Sequence, residues 1–263
     1  MCFVRLRLKF AFGVVLGSFL PVSAVHAATP PLQAMVGMHK PPYIQVDSSD
    51  GYEVELIREI TKLMSQQVEF TYVPNKRIFP LLQQGIGDIA TLQSVAEQAE
   101  DVFYSCPYIR YQNVAITLTS HHIDLGSLLD LDQRSILAFQ NAAKVLPAEF
   151  RRIAAASPNY RETVDQRAQV EMLQKQRVQV VVMDMNIFNY YNNKAAQVSQ
   201  VDVHHLFQPT LYRAAFRDAL LAKQFNRALS QFQQSTRYAG LQERYFGNAT
   251  VASPPACDVS DHR

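Results

Sequence analysis

The chain has 263 residues, of which 48% are hydrophobic, and carries 25 Lys+Arg against 23 Asp+Glu for a formal net charge of +2. That content supports substantial apolar cores. The near balance of charge, with no long basic block, argues against a nucleic-acid partner, which demands concentrated Lys and Arg.

The N-terminus reads as a secretory signal peptide, residues 1–27. Arg5, Arg7 and Lys9 form a basic start, an apolar run covers 10–20, and Pro21 ends it. Val25 and Ala27 then supply small residues at the positions a signal peptidase reads, which predicts cleavage after Ala27. The run is short for a bilayer span, which takes about 20 residues, so an uncleaved anchor is the less favoured reading. Cys2 leaves with the signal, as do three basic residues, so the exported chain is close to neutral. No later stretch is apolar and long enough to span a membrane.

Strands then alternate with helices. Residues 33–38 read as a strand ended by Pro41-Pro42. A helix follows over 54–64, where Val54, Ile57, Ile60, Leu63 and Met64 recur on one face. Alternation at Val68, Phe70 and Tyr72 gives a strand, 77–84 a helix with Gly85 as its C-cap, and 88–93 a third strand. This order predicts a parallel sheet with right-handed crossovers. The pattern restarts with strands over 113–118 and 135–139, helices over 142–156 and 166–176, and an apolar run at 178–183 that suits a strand covered on both faces. A short helix over 184–192 and a strand over 201–207 follow. The chain closes with a strand over 211–216 and helices over 218–238 and 241–245. The tail after Gly247 is polar and Pro-containing, and is expected to be loosely held.

Several phrases resemble the extracellular solute-binding proteins of family 3, best known as amino-acid-binding subunits of ABC transporters. They are Lys40-Pro41-Pro42-Tyr43-Ile44 followed by Gly51-Tyr52-Glu53, then Leu82-Gln83-Gln84-Gly85-Ile86-Gly87-Asp88, and Phe103-Tyr104-Ser105-Cys106-Pro107-Tyr108. The series ends with Val180-Val181-Val182-Met183-Asp184, Phe225-Asn226-Arg227-Ala228-Leu229 and Arg244-Tyr245-Phe246-Gly247. The resemblance implies an α/β fold of the periplasmic binding protein type, two Rossmann-like lobes joined by a two-strand hinge. Lobe 1 would comprise 28–112 and 209–247, lobe 2 113–208, and a flexible tail 248–263. A small polar solute would be captured by hinge closure, with an inner-membrane permease as partner, in a monomeric periplasmic protein with no cofactor.

Ligands of parallel α/β sheets lie beyond the carboxyl ends of the strands. That rule selects Tyr43, Gln93 and the residues just after it, Gln140, Asn141 and Asp184, and the resemblance adds Gln98. The resemblance implies that Asp184 pairs with a ligand amino group; the alternative is a helix N-cap. Gln140 and Asn141 precede a helix whose free N–H groups attract carboxylates. Tyr43 would stack on the ligand or pack on its own lobe. Arg77, at a helix start, is suited to clamping a carboxylate. Amino-acid-binding relatives carry a Thr…Arg pair after the third strand; here Val95 and Gln98 stand in those places. Gln98 is neutral, so an ordinary α-amino acid would lose a charge-assisted bond. The expected ligand is therefore something else, or the site is rebuilt around Arg77.

Cys106 and Cys257 are permitted to pair in an oxidising compartment, and two free thiols fit the sequence equally well. The pairs His121-His122 and His204-His205 lack the spacing of a metal site. Two rival functions share this fold. One is a dehydratase of cyclic acids, for which Glu53, Glu97 and Asp184 are the candidate general acids. The other is a sensing subunit docked on a membrane receptor. Residues in the cleft, not the fold, separate these.

Overall fold

The computed structural model describes Met1 and residues 30–95, 98–247 and 253–258. The signal-peptide segment 2–27, Glu97 and most of the tail lie outside the described residues. The first sheet is built from β1 (Leu32–Val36), α1 (Tyr52–Leu63), β2 (Val68–Tyr72), α2 (Asn75–Gln83) and β3 (Ile89–Ser94). Two short strands follow, β4 (Phe103–Tyr104) and β5 (Ile109–Tyr111). β2 and β3 run parallel to the central β1, the arrangement the strand–helix alternation predicts.

After the single residue Gln112 the chain enters the second sheet. Its elements are β6 (Asn113–Leu118), β7 (Ile136–Phe139), α3 (Ala142–Val145), α4 (Ala148–Ala156) and β8 (Tyr160–Thr163). They continue with α5 (Gln166–Gln174), β9 (Val180–Asp184), α6 (Met185–Lys194) and β10 (Val201–His204). The strand order is β10-β6-β9-β7-β8. β7 is parallel to both neighbours, and β6 is antiparallel to β9 and β10.

The chain then returns. β11 (Thr210–Phe216) pairs antiparallel with β3, β4 and β5, completing the first sheet. α7 (Ala219–Gln233) and α8 (Thr236–Phe246) finish the fold. Two α/β lobes are thus linked by two strand-flanked crossings, one at Gln112 and one at 205–209.

Burial follows the strand period. All five residues of β9 are buried, with Val181 and Met183 in one apolar cluster and Val180 and Val182 in another on the opposite face. The larger cluster runs from Ile57 and Phe225 of the first lobe to Val114 and Phe188 of the second. Cys106 and Cys257 form a disulfide with Cα atoms 5.4 Å apart, which ties Cys257 to the first lobe.

The structure corrects several expected boundaries. The helix expected over 142–156 is two helices, because Pro147 has no N–H to donate and instead opens α4. The helix expected over 218–238 stops at Gln233, where Ser235 caps α8 through its bond from the Tyr238 N–H. β4, β5 and β8 are additional strands. β8 is polar and short, so its sequence carries no apolar alternation to mark it.

Candidate functional site

A cleft of about 1200 Å³ separates the lobes, and its walls come from strand ends. Met38 and Lys40 follow β1, Asn75 and Lys76 follow β2, and Ser94 closes β3. Across the gap, Phe139, Gln140 and Asn141 end β7, Thr163 and Val164 end β8, and Asp184 ends β9. This is the crevice at the carboxyl edge of an open α/β sheet, where helix N-termini and unpaired backbone groups face a ligand.

Gln140 and Asn141, selected from the sequence, both line this cleft. Asn141 adopts a left-handed conformation, φ 65°, which asparagine tolerates. The N–H groups of Asn141 and Ala143 donate to the Glu162 carboxylate of β8 at 2.6 and 2.9 Å. Tyr160 adds its hydroxyl at 2.7 Å. Burial opposes ionisation of Glu162, but these donors outweigh it and hold its carboxyl below the usual range. The chain's own carboxylate therefore takes the backbone donors expected for a ligand.

Asp184 also borders the cleft but is 2% exposed. Its Oδ1 accepts from the N–H groups of Asn186 and Ile187, the N-cap pattern of α6, and from the Tyr43 hydroxyl at 3.0 Å. Its Oδ2 accepts from the Gln112 N–H at 2.9 Å. Burial pushes the carboxyl up to about 6, and the four donors restrain the rise.

Tyr43 lies beneath the cleft, fully buried. Its ring stacks on Tyr111 at 4.3 Å between centroids, and its hydroxyl accepts from Asn186 Nδ2 at 2.8 Å. The side chain thus reaches from the first lobe to the second. Gly51 makes this placement feasible: it holds φ 116°, and a Cβ there would sit 2.4 Å from the Tyr43 carbonyl oxygen. Tyr43 N–H in turn donates to Lys40 O at 3.0 Å, closing a turn through the cis Pro41–Pro42 bond.

The remaining selected residues sit elsewhere. Gln93 is buried, and its Nε2 donates to the Thr91 carbonyl at 2.6 Å; its neighbours Leu92 and Ser94 face the cleft instead. Arg77 is exposed on α2, while Asn75 and Lys76 of the same first turn reach the cleft. Gln98 is exposed and away from the lining.

Lys40 is the contributor that sequence reasoning used only as part of a motif. It is half-buried at the cleft floor, with Nζ 5.2 Å from the centre of the Tyr111 ring. Burial lowers its basicity, and the Glu53 and Asp184 carboxylates pull it back up. A lone lysine directly before two prolines is the only signal the sequence offers, since the prolines keep that segment out of helix.

Glu53, a candidate acid, is wholly buried behind the cleft. It accepts from the Tyr108 hydroxyl, and burial raises its carboxyl to about 7 against the pull of Tyr108 and Lys40. Among the described residues, no group of three or more His, Cys, Asp or Glu could hold a metal ion.

Solved structures share this architecture. The GluR0 ligand-binding core, in complex with L-glutamate, is 18% identical with a TM-score of 0.66, over 83% of this chain and 99% of that one. A histidine kinase sensor domain with similarity to periplasmic binding proteins is 18% identical with a TM-score of 0.64, over 82% and 96%. A substrate-binding protein of an ABC uptake transporter from Streptococcus pneumoniae, with bound histidine, is 16% identical with a TM-score of 0.64, over 82% and 92%. At such identities the likeness is one of fold. No curated protein matches the sequence. The family model of bacterial extracellular solute-binding proteins, family 3, matches residues 32–248. The two-lobed fold agrees with that match, and the chain belongs to the bacterial extracellular solute-binding proteins of family 3.

Proposed function

We propose that the protein captures a small polar solute between its lobes outside the cytoplasmic membrane and delivers it to the permease of an ABC-type uptake system. The observation that carries this reading is the cleft of about 1200 Å³ whose two walls come from different sheets. A solute touching both walls stabilises the closed arrangement over the open one by its differential contacts. Two crossings rather than one confine the motion to a hinge. The moving units are 28–112 with 209–247, and 113–208; Gln140, Asn141 and Lys40 touch the solute, while Tyr43 and Asp184 couple the lobes beneath it. Export by the signal peptide 1–27 and action as a monomer complete the proposal.

Small-angle scattering on the purified protein, with and without a panel of amino acids and organic acids, tests it. The expected result is a smaller radius of gyration with at least one compound. An unchanged envelope across the panel would count against capture by closure. A sensing role has one specific support, the equal structural likeness to the histidine kinase sensor domain and to the transporter subunit. Pull-down with solubilised membranes separates the two by whether a permease or a receptor is retained.

A further inference from the structure

The charges around the cleft are one-sided. Lys40 and Lys76 line it from the first lobe and Lys144 from the second. None of the three forms an ion pair among the described residues. Asp184 is the one carboxylate among the described lining residues, and both of its oxygens are already engaged by Tyr43, Gln112, Asn186 and Ile187. The other polar groups there, such as Asn75, Ser94, Asn113 and Gln140, are neutral. A carboxylate entering the cleft would meet unpaired cations. An ammonium group would meet the same cations and no free anion.

Between these cations the walls also carry apolar and aromatic groups. Leu92, Tyr111 and Tyr212 face the cleft from one side, and Phe139, Leu146 and Ile187 from the other. At the rim, Val145 is 64% and Val164 72% exposed, which leaves apolar surface to be covered by whatever enters. Burial lowers the basicity of Lys40, and a nearby anion would raise it again.

We propose that the cleft takes an organic carboxylate with an apolar or aromatic body and makes no use of an α-ammonium group, with Lys40 as the carboxylate's principal partner. This rests on reading the cleft as the solute site. Burying an ammonium with no free carboxylate to receive it forfeits an ion-paired hydrogen bond, a loss that corresponds to about tenfold or more in affinity.

The test is isothermal titration calorimetry with matched pairs, 3-phenylpropanoate against L-phenylalanine and 4-methylpentanoate against L-leucine. Each pair differs only in the α-ammonium group. The expected result is that at least one acid binds about tenfold or more tightly than its amino counterpart. Lys40→Met should lose a similar factor and Lys40→Arg should retain most of the binding, with far-UV circular dichroism confirming that both variants are folded. Equal or tighter binding of the amino acid overturns the proposal. So does an acid affinity unchanged in a folded Lys40→Met, and so does a lack of binding by all four compounds. Scattering on the same samples keeps the two readings apart. Closure on an amino acid alone, or on a metabolite with no carboxylate, would sink the carboxylate inference and leave solute capture standing, whereas no closure with any compound would sink both.

Discussion

Tyr43 couples the lobes through a single hydroxyl that donates to Asp184 and accepts from Asn186. Tyr43→Phe keeps the stacking on Tyr111 and deletes only those bonds. The expected cost is about 1–2 kcal/mol, read from urea unfolding, because Asp184 keeps its three backbone donors while Asn186 loses its partner. The two buried carboxyls beside this strut set a pH dependence. In the folded state Glu53 is raised to about 7 and Asp184 to about 6, chiefly by burial. Each therefore keeps its proton in the folded protein over a range where the unfolded chain, titrating near pH 4, has released it. Their stabilising contribution is complete below about pH 4 and is lost as pH rises through about 7. Glu53→Gln should flatten that fall. Urea midpoints at pH 5 and pH 8 are expected to show the variant gaining on the parent as pH rises, and a constant difference would contradict the assignment. Sequence pattern revealed Asp184 because a carboxylate after an apolar run is a recognisable N-cap. It could not reveal that Tyr43 would engage that carboxylate, since 141 residues separate them.

At the scale of elements, the strands legible in the sequence were those with a buried stripe. β1, β3 and β9 combine apolar runs with clear punctuation, and they are the strands whose ends build the cleft. β8 was invisible: Tyr160–Thr163 is held by pairing with β7, not by its own apolar face. Its Glu162 then occupies the backbone donors that α3 offers, so missing the strand also hid the competitor for that position. The helix faces tell a similar story. The α2 helix was legible but was expected to begin at Arg77; which of Asn75, Lys76 and Arg77 reaches the cleft depends on how the helix lies against β1 and β3, and only Asn75 and Lys76 do. Lys40 was illegible as a cleft cation because its surroundings, Tyr111, Glu53 and Asp184, come from three other segments.

At the scale of the whole molecule, the Cys106–Cys257 bridge closes a sequence separation of 151 residues. Cys106 lies in the first lobe and Cys257 packs against it; Cys257 Sγ lies 3.6 Å from the Asn226 carbonyl oxygen of α7, and the Asn226 side chain accepts from the Cys106 N–H. Reduction should lower stability by up to about 5 kcal/mol, the chain-entropy value for a loop of this size. Thermal melts with and without dithiothreitol check it, and ligand affinity below the melt should be unaffected because the bridge is remote from the cleft lining. The return of β11 carries a different consequence, one for synthesis. Every strand of the second sheet lies between Asn113 and His204, so that sheet can be completed without the residues that follow. The first sheet cannot, because β3, β4 and β5 await a partner that begins at Thr210. During vectorial emergence of the chain, the part made first is therefore the part finished last, and its unpaired strand edges depend on a chaperone or on delayed collapse until the C-terminal segment arrives.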